Sequence, residues 1–423
     1  MFKRFFLSAD DSICRKNYIW NIIAGGVNAA EAVVLMAIVA RVINDEAAGI
    51  LTIAFAVGNL LMNIGKFGVR NFQVTDTSGF SLSDYFSLRI ITSLLMGLAT
   101  VLFVGYKYLF GGYDIEKATV VLVICLIYTL ESFEDLFLGY YQTKGRLDVA
   151  SKVFIIRWLA VFGSFILCIS VSRDLAISIS VAFLVSIIME MVLLHDANSI
   201  VKVKINKLQF KATRIIASQC FPLFAFAFLT FYVTNAPKYS IDVIMTNKDQ
   251  AVFGILAMPV FLIELLNNFI YQPQMVSLAG EWKNNDFQAF CVRIKKQFAY
   301  ILLLTLFCCI CSYLVGNRLL TLIFSVDVNA YRSELLILML AGGMMAVMGY
   351  TSVVITVFRK QRVLLIGMLV ISIMAFVGFN LIIQSYGIMG ASIYYSILFG
   401  LMSLFNIVYI IVHINHEKRR IAA

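Results

Sequence analysis

Long, unbroken apolar runs constrain this chain more than any other feature. Ile22–Val42 and Gly49–Val69 are two of them, joined only by Ile43-Asn44-Asp45-Glu46. A run of roughly 20 apolar residues spans the roughly 30 Å hydrocarbon core of a bilayer as one helix. Barrel strands would instead alternate polar and apolar residues over about 10 positions. Such runs recur at about 18–42, 48–69, 85–108, 118–141, 152–171, 174–194, 213–234, 250–274, 297–316, 332–358, 362–384 and 387–413, which predicts twelve transmembrane helices. The apolar fraction of 61% agrees; soluble domains sit nearer 45–50%, roughly. The fold class is therefore all-α and integral to the membrane.

The basic residues then orient the spans. With the N-terminus in the cytoplasm, 26 of the 34 lysines and arginines fall at the cytoplasmic ends and loops, and eight on the other side. This bias predicts that both termini are cytoplasmic. It also accounts for the net charge of +10 through topology and attraction to anionic headgroups, with no nucleic-acid partner needed. Residues 1–17 are mixed and charged, unlike a cleavable signal peptide. Phe2, Phe5, Phe6 and Leu7 beside Lys3 and Arg4 are expected to form an interfacial helix.

The longest cytoplasmic link, about 195–212, divides the chain into two six-span lobes, 1–200 and 201–423. A repeat supports the division. Asn44-Asp45-Glu46-Ala47-Ala48-Gly49-Ile50-Leu51 opens the second span, and Asn247-Lys248-Asp249-Gln250-Ala251-Val252-Phe253-Gly254-Ile255-Leu256 opens the eighth. Six spans repeated in one orientation predict lobes related by an axis along the membrane normal.

Several classes of activity find no support. The outer loops are too short to hold a soluble catalytic domain, and no acid/base or nucleophile constellation is evident. There is no Walker-type glycine loop for ATP hydrolysis. The cysteines, including Cys308, Cys309 and Cys311, lie mostly in apolar runs without metal-ligand spacing. Neither enzymatic activity nor a bound metal or cofactor is expected.

What remains is the polarity inside the spans. In the second span Thr52, Asn59, Asn63, Lys66 and Arg70 lie within an arc of about 60° on an ideal helix. Such a stripe faces a protein interior or a water-filled path, because lipid would not solvate it. The matching part of the eighth span holds Glu264, Asn267, Asn268, Tyr271 and Gln272, with Pro259 and Pro273 as sources of kinks. The first span carries Asn21, Asn28 and Glu31, with Gly25-Gly26 allowing close packing; the seventh carries Thr230, Thr234 and Asn235. The fourth holds Glu131, Glu134 and Asp135 on one face. Arg157 of the fifth span sits at a similar depth, which predicts an ion pair within the lobe and leaves Glu131 without an obvious partner.

The run NIIAGGVNAAEAVVLMAIVARVINDEAAGILTIAFAVGNLLMNIGKFGVRNFQVTD resembles the N-terminal part of bacterial polysaccharide (O-antigen type) lipid-linked repeat-unit flippases. These belong to the multidrug/oligosaccharidyl-lipid/polysaccharide exporter superfamily. Ala47-Ala48-Gly49-Ile50 and Gly65-Lys66-Phe67-Gly68-Val69-Arg70-Asn71-Phe72 carry the likeness, which covers about residues 17–90. The resemblance implies a V-shaped pair of six-helix lobes around a central cavity. It implies a bacterial inner-membrane transporter that turns an undecaprenyl-pyrophosphate-linked oligosaccharide from the inner to the outer leaflet by alternating access. Other polysaccharide-assembly proteins would be its partners.

Such a cargo needs cations for phosphate and amides or hydroxyls for sugar. Asn28, Thr52, Asn59, Asn63, Lys66, Arg70, Asn235, Asn268, Tyr271 and Gln272 are accordingly candidate cavity residues. Glu31, Glu131 and Glu264 are candidates for coupling to H+ or Na+, since a carboxylate at mid-membrane must be paired or neutralised. Plainer readings compete. Lys66 and Arg70 would also serve as anchors that snorkel to bilayer headgroups, and the acids and amides as structural hydrogen bonds between helices. A drug or metabolite exporter of the same superfamily, with an acid-dominated cavity, and a membrane polysaccharide polymerase are the alternative functions.

Overall fold

The structure, a computed structural model, describes residues 3–6, 13–75, 79–203, 212–271 and 274–422. All regular structure among them is helical, as expected where lipid offers the backbone no hydrogen-bond partners. Among the described residues, ten helical stretches are long and apolar enough to cross a membrane. The chain divides into two compact units, Met1–Phe231 and Tyr232–Ala423.

The first unit holds α1 (Lys3–Phe6), α2 (Ile13–Val42), α3 (Asp45–Lys66), α4 (Val69–Thr75), α5 (Leu82–Phe110), α6 (Ile115–Thr143), α7 (Leu147–Ser172) and α8 (Leu175–Val201), with the first part of α9 (Thr213–Ile244). Polar residues between the apolar runs become the caps. Asn44, Asp114 and Asp174 each accept from a backbone N–H in the first turn of α3, α6 and α8, and Ser81 forms a capping box with Asp84 on α5. The tight turn expected near residue 173 is a single left-handed residue, Arg173, at φ 51°.

Helix α3 is the centre of this unit: every residue from Ala47 to Gly58 is buried. It lies close against α6 because two glycines share the contact. A Cβ on Gly58 would come within 2.7 Å of Tyr128, and one on Gly65 within 2.6 Å of Ser132. The helix stops at Lys66, where Phe67 and Gly68 are both left-handed, with φ of 46° and 66°. Arg70 therefore stands on a separate short helix, α4, rather than on one continuous stripe. Phe67 stacks on Phe224 of α9 at 4.4 Å. Among the described residues, Gly25 and Gly26 meet no atom within 4 Å of a built Cβ, so the close packing expected of them is not seen there.

Phe6 also departs from expectation. It is fully buried in a cluster with Phe137, Tyr141, Val149, Leu193 and Ala197, so α1 docks on α6, α7 and α8 instead of lying only in the interface.

The second unit contains the remainder of α9, α10 (Asn247–Tyr271), α11 (Met275–Lys283), α12 (Phe287–Cys311), α13 (Asn317–Phe324), α14 (Arg332–Val357) and α15 (Gln361–Ala422). A π-helical segment, Ser312–Gly316, joins α12 to α13. Pro259 lies inside α10; Pro273 is outside the described residues. Within α15, Gly387 (φ 54°, ψ −140°) interrupts the helical path. Small polar residues tie α15 to α14: Ser396 Oγ donates to Ile337 O at 3.0 Å, and Ser403 Oγ to Met344 O at 2.8 Å. Trp282, Phe290, Phe358 and His413 form an aromatic cluster.

Candidate functional site: a charge network and cavity in the first unit

Helix α6 brings three acids to one face at i, i+3 and i+4, and four cations from four other helices meet them. Lys66 Nζ of α3 lies 2.8 Å from Glu131, and Arg70 of α4 lies 3.2 Å from Asp135. Arg89 of α5, fully buried, lies 3.3 Å from Asp135 and donates to the Gly65 carbonyl. Arg157 of α7 lies 2.7 Å from Glu134 and 3.8 Å from Glu131. Burial without a partner would cost each of these ions several kcal/mol, roughly, so the pairing is what makes the site tolerable in a membrane helix. The ion pair expected between Arg157 and the α6 acids is present. Glu131, which the sequence left without an evident partner, has Lys66.

A cavity of about 260 Å³ opens over this network, lined by Asn21, Gly25 and Asn28 of α2, by Lys66 and Arg70, and by Glu131, Asp135, Ser151 and Phe154. The cations face it and the acids stand behind. The Lys66 and Arg70 side chains are each 31% exposed, while those of Glu131 and Asp135 are 9% and 12% exposed. Arg70 is further fixed by Gln142 Oε1 at 3.1 Å. The wall therefore presents two oriented donors, with amides and a hydroxyl beside them. Such a surface can accept an anionic oxygen group.

The structure thus brings Asn28, Lys66, Arg70 and Glu131 together. Glu31 is buried one layer deeper, where Tyr128 Oη donates to its carboxylate at 3.2 Å. A void of about 10 Å³ among Leu35, Phe55, Tyr128 and Trp158 adjoins it, room for about one water molecule. The rest of the stripe does not line this cavity. Thr52 is buried, with its hydroxyl donating to Ala48 O at 2.9 Å and lying 3.3 Å from Met36 Sδ. Asn59 and Asn63 are half-buried and donate to carbonyls of their own helix, Phe55 O at 2.9 Å and Asn59 O at 2.8 Å.

In the second unit, Asn235 accepts from Lys238 Nζ at 3.1 Å. Glu264 is half-buried beside Gly349. Asn268 is half-buried, and Tyr271 packs on Tyr350 with ring centres 5.6 Å apart. Gln272 lies outside the described residues. Asn267 joins three helices, donating to Ala346 O at 3.2 Å and accepting from Gln297 Nε2 at 2.6 Å.

Two network or cavity residues are not singled out by the sequence patterns: Arg89 and Ser151. Arg89 was countable as a cytoplasmic end residue, yet it lies inside a span, which was the available signal. Glu190 of α8 is buried, and its Oε2 has no hydrogen-bond partner among the described residues. Among those residues no group of His, Cys, Asp and Glu is arranged to hold a metal ion.

No protein-family model matches the chain, and no curated protein matches it in sequence. Solved structures do. An inward-facing multidrug resistance MATE family transporter of the MOP superfamily aligns with a TM-score of 0.69 at 12% identity, covering 93% of this chain and 95% of that one. An outward-facing MATE family transporter aligns at 0.60 and 15% identity, covering 96% of each. The lipid II flippase MurJ, in an inward closed conformation, aligns at 0.70 and 12% identity, covering 93% of this chain and 87% of that one. Along nearly its whole length, the chain has the fold shared by these transporters and this flippase.

Proposed function

We propose that the chain is a membrane transporter that turns an undecaprenyl-pyrophosphate-linked oligosaccharide from the inner to the outer leaflet of the bacterial cytoplasmic membrane, by alternating access, for surface polysaccharide assembly. The single observation that carries the reading is the cavity wall, where Lys66 and Arg70 project ahead of their α6 acids beside Asn21, Asn28 and Ser151. Cations suit phosphate, and amides and hydroxyls suit sugar. The fold shared with a lipid II flippase supports a lipid-linked cargo.

Twelve crossings follow when α6 is counted, its acids being paired, and when α15 is divided at Gly387. An undivided helix of that length would far exceed the roughly 30 Å hydrocarbon core. The basic-residue bias supports cytoplasmic termini. Glu31, beside its small void, Glu131 and Glu264 are the groups we assign to coupling with H+ or Na+.

A strain lacking the gene should accumulate inward-facing lipid-linked repeat units and lose surface polysaccharide. Intact polysaccharide with reduced drug tolerance would sink the proposal. It would favour the second reading, an exporter of cationic compounds, which the acids Glu131 and Asp135 on the same cavity wall support. For the site, Lys66→Gln with Arg70→Gln should abolish complementation while the protein still inserts; full complementation would reduce both to anchors.

A further inference from the structure

The cytoplasmic rim of the cavity is built from an unusual set of contacts. Asn17, Trp20, Asn21, Ala24 and Asn28 lie along one face of α2 at helical spacing. Asn21, Ala24 and Asn28 line the cavity. Asn17, one turn below, instead grips the α6–α7 turn: its Nδ2 donates to Gly145 O at 2.9 Å, and its Oδ1 accepts from the Asp148 N–H at 2.7 Å. On α7 the same division holds. Ala150, Ser151 and Phe154 line the cavity, while Asp148 and Lys152 belong to the rim.

Helix α1 is tied to this rim through its backbone. Arg146 Nη2 donates to Phe6 O at 2.8 Å, and Lys152 Nζ donates to Phe5 O at 2.8 Å. These two cations satisfy carbonyls left open at the end of a four-residue helix. Buried Asp148 holds both of them, Arg146 at 2.9 Å and Lys152 at 3.7 Å. The Lys152 ammonium also lies over the rings of Phe5 and Trp20, at 4.9 and 5.5 Å, and those two rings meet edge to face 5.5 Å apart. Phe6 is the plug that seats the assembly in the α6–α8 core.

We propose that α1 is a strap. Docked, it clamps the start of α2 to the α6–α7 turn and closes the cytoplasmic rim of the Lys66/Arg70 cavity; released, it lets α2 part from α7 and opens the cavity to anionic solutes from that side. Lys152 is the positioning residue at its centre, because one ammonium joins α1, α2 and α7. A helix of four residues has no stability of its own, so strap closure depends on these few contacts and is easily biased. The strap stands on geometry alone; only the identity of what enters rests on the proposed function.

The test uses the full-length protein in lipid nanodiscs, with its eight cysteines replaced by serine or alanine and a single reporter, Ser151→Cys, on the cavity wall. A second reporter, Ser178→Cys, is buried on α8 away from the rim. The probe is a negatively charged, membrane-impermeant methanethiosulfonate. Deleting residues 2–6, or changing Lys152→Met, should speed labelling at position 151 about tenfold or more, because a hydrogen bond from a charged donor contributes about that factor to a closing equilibrium. Labelling at 178 should not change, and Lys152→Arg should restore slow labelling at 151. Phe5→Leu guards against unfolding, since Phe5 is exposed; it should give a smaller increase in the same direction. Equal rates at 151 in the parent, the deletion and Phe5→Leu would overturn the strap, as would parallel acceleration at both reporters. Loss of complementation by Lys66→Gln with normal strap behaviour, or the converse, separates this inference from the proposed cargo.

Discussion

At the scale of residues, the notable choice is that every basic side chain facing α6 in the site is paired. A lysine and an arginine near the end of a membrane helix are open to two readings from sequence, headgroup anchor or ligand donor. The structure adds a third: both are held by carboxylates across the helix pair, at 2.8 and 3.2 Å. Linear sequence cannot show this, because Lys66 and Glu131 are 65 residues apart and only packing sets their distance. The internal pairs should matter most for stability. Arg157 is fully buried between Glu134 and Glu131, so Arg157→Met, which leaves Glu134 unmatched while Glu131 keeps Lys66, should destabilise the first unit by about 3–5 kcal/mol. A thermal melt of the purified protein measures it, and Arg157→Met with Glu134→Gln should recover part of the loss. Lys66→Met should cost much less, because its ammonium keeps partial access to the cavity; an equal loss for both would contradict the layered arrangement.

At the scale of elements, helix ends and helix contacts were differently legible. The starts were readable, because caps are local chemistry. Asn44 caps α3, and one residue before the matching Asn247, Thr246 exchanges backbone and side-chain bonds with Asp249 at the start of α10. Part of the repeated Asn-acid-Ala pattern is therefore a helix-start signature. The break at Phe67–Gly68 was not readable, and it removes Arg70 from the continuous stripe that ideal helical spacing suggests. Close contacts give sharp expectations here. Gly65→Leu should separate α3 from α6, since even a Cβ meets Ser132 and Met96 inside 3 Å; lower yield and a lower melting temperature would show it. At Gly387 the strain is in the backbone. Its φ of 54° with ψ of −140° is a conformation only glycine adopts freely, so Gly387→Ala should cost about 1–3 kcal/mol. An unchanged melt would mean that the path there can relax.

At the scale of the molecule, the expectations concern topology and transport. Single-cysteine labelling should find position 44 accessible only from outside and position 203 only from the cytoplasm; the reverse pattern would overturn the orientation drawn from the basic residues. Helical class, the approximate position of most apolar helices and the pairing of Arg157 with the α6 acids were determined by the sequence alone. The reason is that they follow from desolvation: lipid forces backbone bonds inward and every buried charge toward a partner. The tertiary structure decided which partner each charge takes, where α3 breaks, that Phe6 plugs a protein core, and that Asn28, Lys66, Arg70 and Glu131 share one cavity. Those outcomes depend on the distance and phase between helices far apart in the chain, which glycine contacts and left-handed turns set and hydropathy does not encode.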